Sequence, residues 1–558
     1  MNVVSSYRID RQKDTRRQIE SNDPELGKLT IDYYNYYPHD GNWERDGLGI
    51  GRNTHIKELH FASHLHSVVD RGQFEAFCRG LACNKSIEEL STWCSKLFGG
   101  EIFNNLTQFF EQNSNLHRLS VGNFGNAPNS VRLLSESLTK FSSLQEFECR
   151  CSKLRDNDIE LLLQTLVGHS QLAKIDLTRN EVGGRGMAAL AAMLVNPNSS
   201  LDDLVLEGCS LDDEGAVAFA DALGRNSTLK KLNLDDNSNI TATGWNAIFT
   251  QLQSPQPPLE DLVLYGNSID DAAANLLGKA LDSLSRLKVL KLGSNYDITT
   301  EGWQAIFDTL QSPRCMLQEL VLFENGFTDE VVTHLSHSLA NNCVLRHLDP
   351  SVNSEVTSSG WREFSAVLQN PNSALEKVDL GYNSIDDDAL ISFATSLVHN
   401  SKLKELILDE DSYEDINITI VGWAALSNVL CNKMSINATF NSNHTLQGIF
   451  DNKELDEPKL PSDLRALLQL NRENTKIEAA RRKVIDVHFS GAFNMQPFVD
   501  MNVKEVPHAI AWMARDEHGS SLMYKFVRNT TFFLNVTNVG GGGTGPAANE
   551  PESKRQKL

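Results

Sequence analysis

Hydrophobic and polar positions along the chain follow one recurring pattern. From Leu229 the chain reads LKKLNLDDNSNITATGWNAIFTQLQSPQPP, with Leu at positions one, four and six (Leu229, Leu232, Leu234) and Asn at nine (Asn237). From Leu259 it reads LEDLVLYGNSIDDAAANLLGKALDSLSR, with Leu259, Leu262, Leu264 and Asn267 in the same places. Units in this register start at 116, 144, 172, 201, 229, 259, 287, 317, 345, 375 and 403, at intervals of 28 to 30 residues. Leu at four and six alternates with polar residues, which predicts a short strand with one buried face. Asn at nine predicts a strand end, where its amide bonds backbone groups of the bend. The rest of each unit predicts a helix, as Trp245, Ile248, Phe249 and Leu252 show at i, i+3, i+4, i+7 spacing. No unit can bury either face alone, so the units must stack, with strands parallel on one side and helices on the other.

From Leu229 the longer and shorter units alternate. Each longer one carries Gly-Trp near its helix start (Trp245, Trp303, Trp361, Trp423), where the shorter ones hold Ala216, Ala274, Val332 and Ala389. Large beside small on adjacent helices predicts interdigitated packing. Thr241, Thr299, Thr357 and Thr419, and Asp212, Asp270, Thr328 and Asp386, are placed as N-caps, so the repeated Asp-Asp pairs read as capping chemistry. Pro350 stands where other units have an inward Leu and predicts one lost ladder bond.

The ends depart from the pattern. Residues 1–25 form a polar arm, expected to be frayed, and residues 26–115 contain degenerate units (LGKLTI, IKELHF, IEELST) that cap the array. Regular repeats run over 116–435 and a helical cap over 436–538, with SINATFNSNHTL expected as a last strand and turn. Ser462 is placed as the N-cap of a helix that continues through ARRKVIDVHF, and VPHAIAWMAR is a second amphipathic piece. Residues 539–558 form a Gly-rich, disordered tail with a basic end. The acidic insertion DEDSYEDINIT (Asp409, Glu410, Asp411, Glu414, Asp415) lacks calcium-loop spacing and reads as a solvated loop.

Composition narrows the function. Formal net charge is −22, which disfavours nucleic acid and anionic membrane as partners. The nine Cys have no C-x-x-C spacing, which predicts reduced thiols and an intracellular setting, and Cys149 and Cys209 take inward positions. No apolar run reaches membrane-span length. No nucleophile–base pair or metal spacing stands out, so neither an enzyme nor a cofactor is expected.

The L-x-x-L-x-L-x-x-N units of 28 to 30 residues resemble the ribonuclease-inhibitor-like leucine-rich repeats, a type also found in innate-immune receptors and Ran GTPase-activating proteins. The cap segments LPSDLRALLQLNREN and HFSGAFNMQPF resemble those of algal leucine-rich-repeat proteins. The resemblance implies an α/β fold, a right-handed solenoid (horseshoe) with a parallel β-sheet on its concave face and helices on its convex face. It implies a non-catalytic scaffold for protein–protein interaction, here a monomer. The alternative is a regulator of the GTPase-activating type acting on a small GTPase.

Positions three, five and seven project from the sheet, because four and six point inward. They place Val263, Tyr265, Val321 and Phe323 in alternate units as two apolar pairs roughly 10 Å apart, with Lys291 and Gly293 between. Glu207, Asp235, Asp261 and Glu324 form an acidic rim suited to a basic protein partner. At the C-terminus Lys554, Arg555 and Lys557 match a nuclear-import signal, which would place the chain in cytoplasm, nucleus or both.

Overall fold

The computed structural model describes residues 13–32, 42–62, 71–92, 101–122, 129–253, 258–408, 418–449, 460–488 and 510–511. Two compact units divide the chain: Met1–Ile385 with Leu406–Glu414, and Asp386–Glu405 with Asp415–Leu558.

Among the described residues fourteen strands lie in sequence order, from β1 (Lys28–Ile31) to β14 (Glu405–Ile407), in a parallel sheet with a helical segment after each strand. The register aligns position four of successive units. Leu29, Leu59, Leu90, Leu119 and Phe147 begin one buried column, and Leu262, Leu290, Leu320, Leu348 and Val378 continue it. Each such side chain contributes about 1.5–3 kcal/mol by burial, and only because its neighbours supply the other side of the layer. The three degenerate units at the start join the same ladder, so the sheet begins at Lys28. This is an α/β leucine-rich-repeat solenoid.

Asn at position nine joins each unit to the one before. The amide of Asn267 donates to Leu234 O, and its Oδ1 accepts the Asn237 N–H at 2.9 Å. The same bond runs on through Asn295, Asn325, Asn353 and Asn383. Cys209 replaces Asn in its unit and keeps only part of this, its thiol turned towards Leu177 O at 3.2 Å. Burial pushes the thiols of Cys149 and Cys209 up to about 12, which leaves them unreactive. A second Asn row, three residues before the first inward residue, was not read from sequence. Asn84, Asn226, Asn342 and Asn443 each accept two backbone N–H groups of the helix-to-strand corner and donate to a carbonyl of the preceding unit.

The Asp-Asp pairs divide their labour. Asp270 caps its own helix, Asp271–Ser283, by accepting from Ala273 N. Asp271 reaches into the next unit, where Thr299 N–H and Oγ1–H and Gly302 N–H converge on its carboxylate at 2.7–3.2 Å. Asp213 does the same for Thr241 and Gly244, and Asp387 for Thr419 and Gly422. Trp245, Trp303 and Trp361 are fully buried. The Gly before each is required by close approach: a Cβ on Gly244 would lie 2.9 Å from the Ala216 methyl. Pro350 costs one rung, and the ladder resumes at Val352 N–H, 2.9 Å from Gly381 O.

Several expectations at the ends change. Residues 13–20 are helical rather than frayed, because Ile19 is buried and Arg16 pairs with the buried Asp46 at 2.8 Å. In the second unit, Ile436–Phe440 is a short helix capped by Ser435, not a strand, and the strand position shrinks to a single bridge between Gly448 and Glu405. Ser462 is the first helical residue rather than the cap, which is Pro461. The helix does not run on: Asn474 is extended, and a separate helix, Lys476–His488, begins after it. The acidic insertion through its residue 417, HFSGAFNMQPF beyond its first residue, nearly all of VPHAIAWMAR, and the tail lie outside the described residues.

Candidate binding surface

Around β8 (Lys231–Asn233), β9 (Asp261–Val263), β10 (Val289–Lys291) and β11 (Glu319–Val321) the alternation holds. Leu262, Leu264, Leu320 and Leu322 are buried, while Val263, Tyr265, Val321 and Phe323 are half-buried on the open face. The two aromatic residues do not form separate pairs 10 Å apart. Their rings stack at 4.9 Å between centroids and 21° between planes, bridging the strand that separates them. Gly293 makes this possible: a Cβ there would lie 2.7 Å from Phe323 and 2.9 Å from Tyr265. A stacked pair of this kind is worth about 0.5–1.5 kcal/mol beyond its buried area, so the platform is built before a partner arrives.

Glu324 lies beside the stack. Ser294 Oγ donates to it at 2.7 Å and the Tyr265 hydroxyl is at 3.5 Å. These bonds, with one from Tyr296, hold its carboxyl below the usual range. Lys291 pairs with Glu319 at 3.4 Å. Burial pushes the Asp261 carboxyl up, and its nearest cation, Lys231, stands at 4.0 Å. Asp235 Oδ1 accepts the Tyr265 N–H at 2.6 Å. Burial pushes the Asp235 carboxyl up to about 6, and the negative charges of Glu207 and Asp236 push the same way. Glu207 has Arg179 at 3.8 Å.

Two features escaped the sequence reading. Tyr296, 62% exposed, stands next to Glu324 and its phenol is pushed up by that carboxylate. Position eight is left-handed in successive units: Arg179, Gly208, Asp236, Gly266, Ser294, Glu324, Val352 and Tyr382 have φ between +52° and +63°. Non-glycine residues there cost about 1–2 kcal/mol each. The two Gly in that row were the available signal. Lys554, Arg555 and Lys557 lie outside the described residues.

The start of the same face is different in charge. Glu148, almost wholly buried, is ringed by Arg118 (2.9 Å), Lys174 (3.1 Å) and Arg150 (3.3 Å), and Arg150 also meets Asp176 at 2.7 Å. That network neutralises itself. Among the described residues no group of His, Cys, Asp and Glu could hold a metal ion, and no helix is long and apolar enough to cross a membrane.

A family model described as "Leucine Rich repeat" matches residues 172–191, 198–220, 225–248 and 372–394. The chain is 30% identical over 295 residues to "NACHT, LRR and PYD domains-containing protein 14" of Mus musculus, which covers 52% of this chain and 29% of that protein. It is 24% identical over 414 residues to "NACHT, LRR and PYD domains-containing protein 5" of Homo sapiens, covering 70% and 34%. "Ribonuclease inhibitor" of Sus scrofa is 26% identical over 286 residues, covering 51% and 62%. The chain thus spans less than a third of the length of the first of these relatives. Repeat spacing, strand order and these likenesses together show a chain of leucine-rich repeats similar to those of ribonuclease inhibitor.

Proposed function

We propose that this chain is a non-catalytic scaffold that binds a protein partner on the open face of its sheet, anchored at the Tyr265–Phe323 stack. Leucine-rich-repeat proteins are generally protein-interaction modules. The observation that carries the finer reading is the stack itself, two half-buried rings held in contact across Gly293 with an acidic border. Large, rigid aromatic residues at a patch centre are the usual energetic anchors of an interface, and a charged border steers the approach. The double change Tyr265→Ala and Phe323→Ala, made in the full chain, should weaken capture of a partner from native extract by at least about 2 kcal/mol. The thermal melt should fall only by the loss of the stack, about 0.5–1.5 kcal/mol beyond its buried area, and stay cooperative. Capture that survives this double change but is lost on Val217→Ser, an exposed position on the helix Asp213–Arg225, overturns the reading.

A further inference from the structure

We propose that the partner presents an arginine side chain to the notch between Asp235 and Tyr265, with the guanidinium on the outer face of the Tyr265 ring and its N–H edge on the Asp235 carboxylate. This rests on the binding surface proposed above and names the chemistry that fills it. One face of Tyr265 is taken by Phe323. Row seven runs Glu207, Asp235, Tyr265, Gly293, Phe323, and the strand order puts Asp235 and Glu207 on the side of Tyr265 away from Phe323. Among the described residues Asp235 and Asp236 have no cation in ion-pair range, and Glu207 has Arg179 only at 3.8 Å. Three carboxylates therefore share one distant cation.

The contrast with the start of the same sheet face decides the sign of the partner. There three cations stand within 3.3 Å of Glu148, and one of them, Arg150, also pairs with Asp176. Here the protein leaves negative charge uncompensated, and burial already raises the cost of ionising Asp235. A partner's cation removes that cost. Arginine fits better than lysine, because a planar guanidinium lies flat on a ring while donating in its own plane to a carboxylate, and an ammonium does not.

The test uses the full chain and three labelled dodecapeptides of alternating glycine with arginine, lysine or citrulline, titrated at 150 mM salt. The arginine peptide should bind about fivefold or more tighter than the lysine one, and the citrulline peptide should not bind. Asp235→Asn keeps an acceptor for the Tyr265 N–H and removes the charge, and it should weaken arginine binding about tenfold, as should Tyr265→Ala. Glu363→Gln, an exposed acid on the helix Ser358–Gln369, serves as the charge control and should leave it unchanged. Equal binding of arginine and lysine peptides, or indifference to Asp235→Asn, overturns the notch. If the Tyr265 and Phe323 double change still abolishes partner capture, the binding surface stands and only the arginine assignment falls. If arginine binding depends on Asp235 while that double change leaves capture intact, the notch binds arginine but the partner does not use it, and both the partner surface and the partner's arginine fall.

Discussion

Asp235 concentrates the residue-scale physics of the open face. Its carboxyl is pushed up to about 6, first by burial and then by Glu207 and Asp236, against the Tyr265 N–H and the Asn233 side chain that favour its charge. Between about pH 4 and 6 the folded chain holds a proton that the unfolded chain releases, so this group's contribution to stability falls as pH rises through that window. Binding a cation runs the other way, since it needs the ionised form. Arginine-peptide affinity should drop about fivefold from pH 7 to pH 5, and Asp235→Asn should flatten the profile. A profile in Asp235→Asn identical to that of the unchanged protein would assign the titration to another group. The period of the sequence placed Asp235, Tyr265 and Phe323 on one face. It could not show the rings leaning together over Gly293, because side-chain torsions answer to neighbours two strands away. Nor could it show that Lys291 pairs with Glu319 on the adjacent strand.

At the scale of the element, the repeat is stitched by polar side chains that cross from one unit to the next. Each second Asp of the shorter units reads as a first-turn acid in sequence, and its real partners are a Thr and a Gly about thirty residues on. A local pattern contains no signal for such a bond, although the 28-residue interval from Asp213 to Thr241 recurs from Asp271 to Thr299 and is there to be read. Asp271→Ala removes two hydrogen bonds to Thr299 and one to Gly302 and should cost about 1–2 kcal/mol, seen as a lower urea midpoint with an unchanged slope. A midpoint within error of the unchanged protein would make the ladder incidental. The related carboxyls of Asp213 and Asp387 are held below the ordinary range, chiefly by the hydroxyls of Thr241 and Thr419. Their contribution is therefore present above the ordinary carboxylate range and lost as pH falls through the lowered folded values. Strands and helices with strong periodicity were legible. The C-terminal segments were not: in SINATF a five-residue helix capped by Ser435 replaces the expected strand, and a cap has no repeat to calibrate it.

For the whole molecule, a stacked array transmits little beyond neighbouring repeats, so damage in the second unit should leave the proposed binding surface working. Lys483 offers the means to ask. It is 1% exposed, on the helix Lys476–His488, with its Nζ donating to Leu430 O at 2.7 Å and Asn443 O at 3.2 Å and lying 3.1 Å from His444 Nδ1. Nothing in ARRKVIDVHF marks this Lys as buried, since lysines are by default solvated. Burial lowers its ammonium to about 7, with the neighbouring Cys431 opposing, and burial with the Lys483 charge pushes His444 down to about 4. From about pH 7 to 10.5 the unfolded chain binds the lysine proton and the folded chain does not, so stability rises with pH across that window. Lys483→Met keeps the apolar stem, removes the donor and strands the Leu430 carbonyl, for a cost of about 1–3 kcal/mol. The melt of the changed protein should lose its rise between pH 7 and 10, while arginine-peptide binding at pH 7 stays within twofold of the unchanged chain. A pH slope that persists in Lys483→Met would assign it to other groups, and a parallel loss of binding would show that these repeats are coupled well beyond their neighbours.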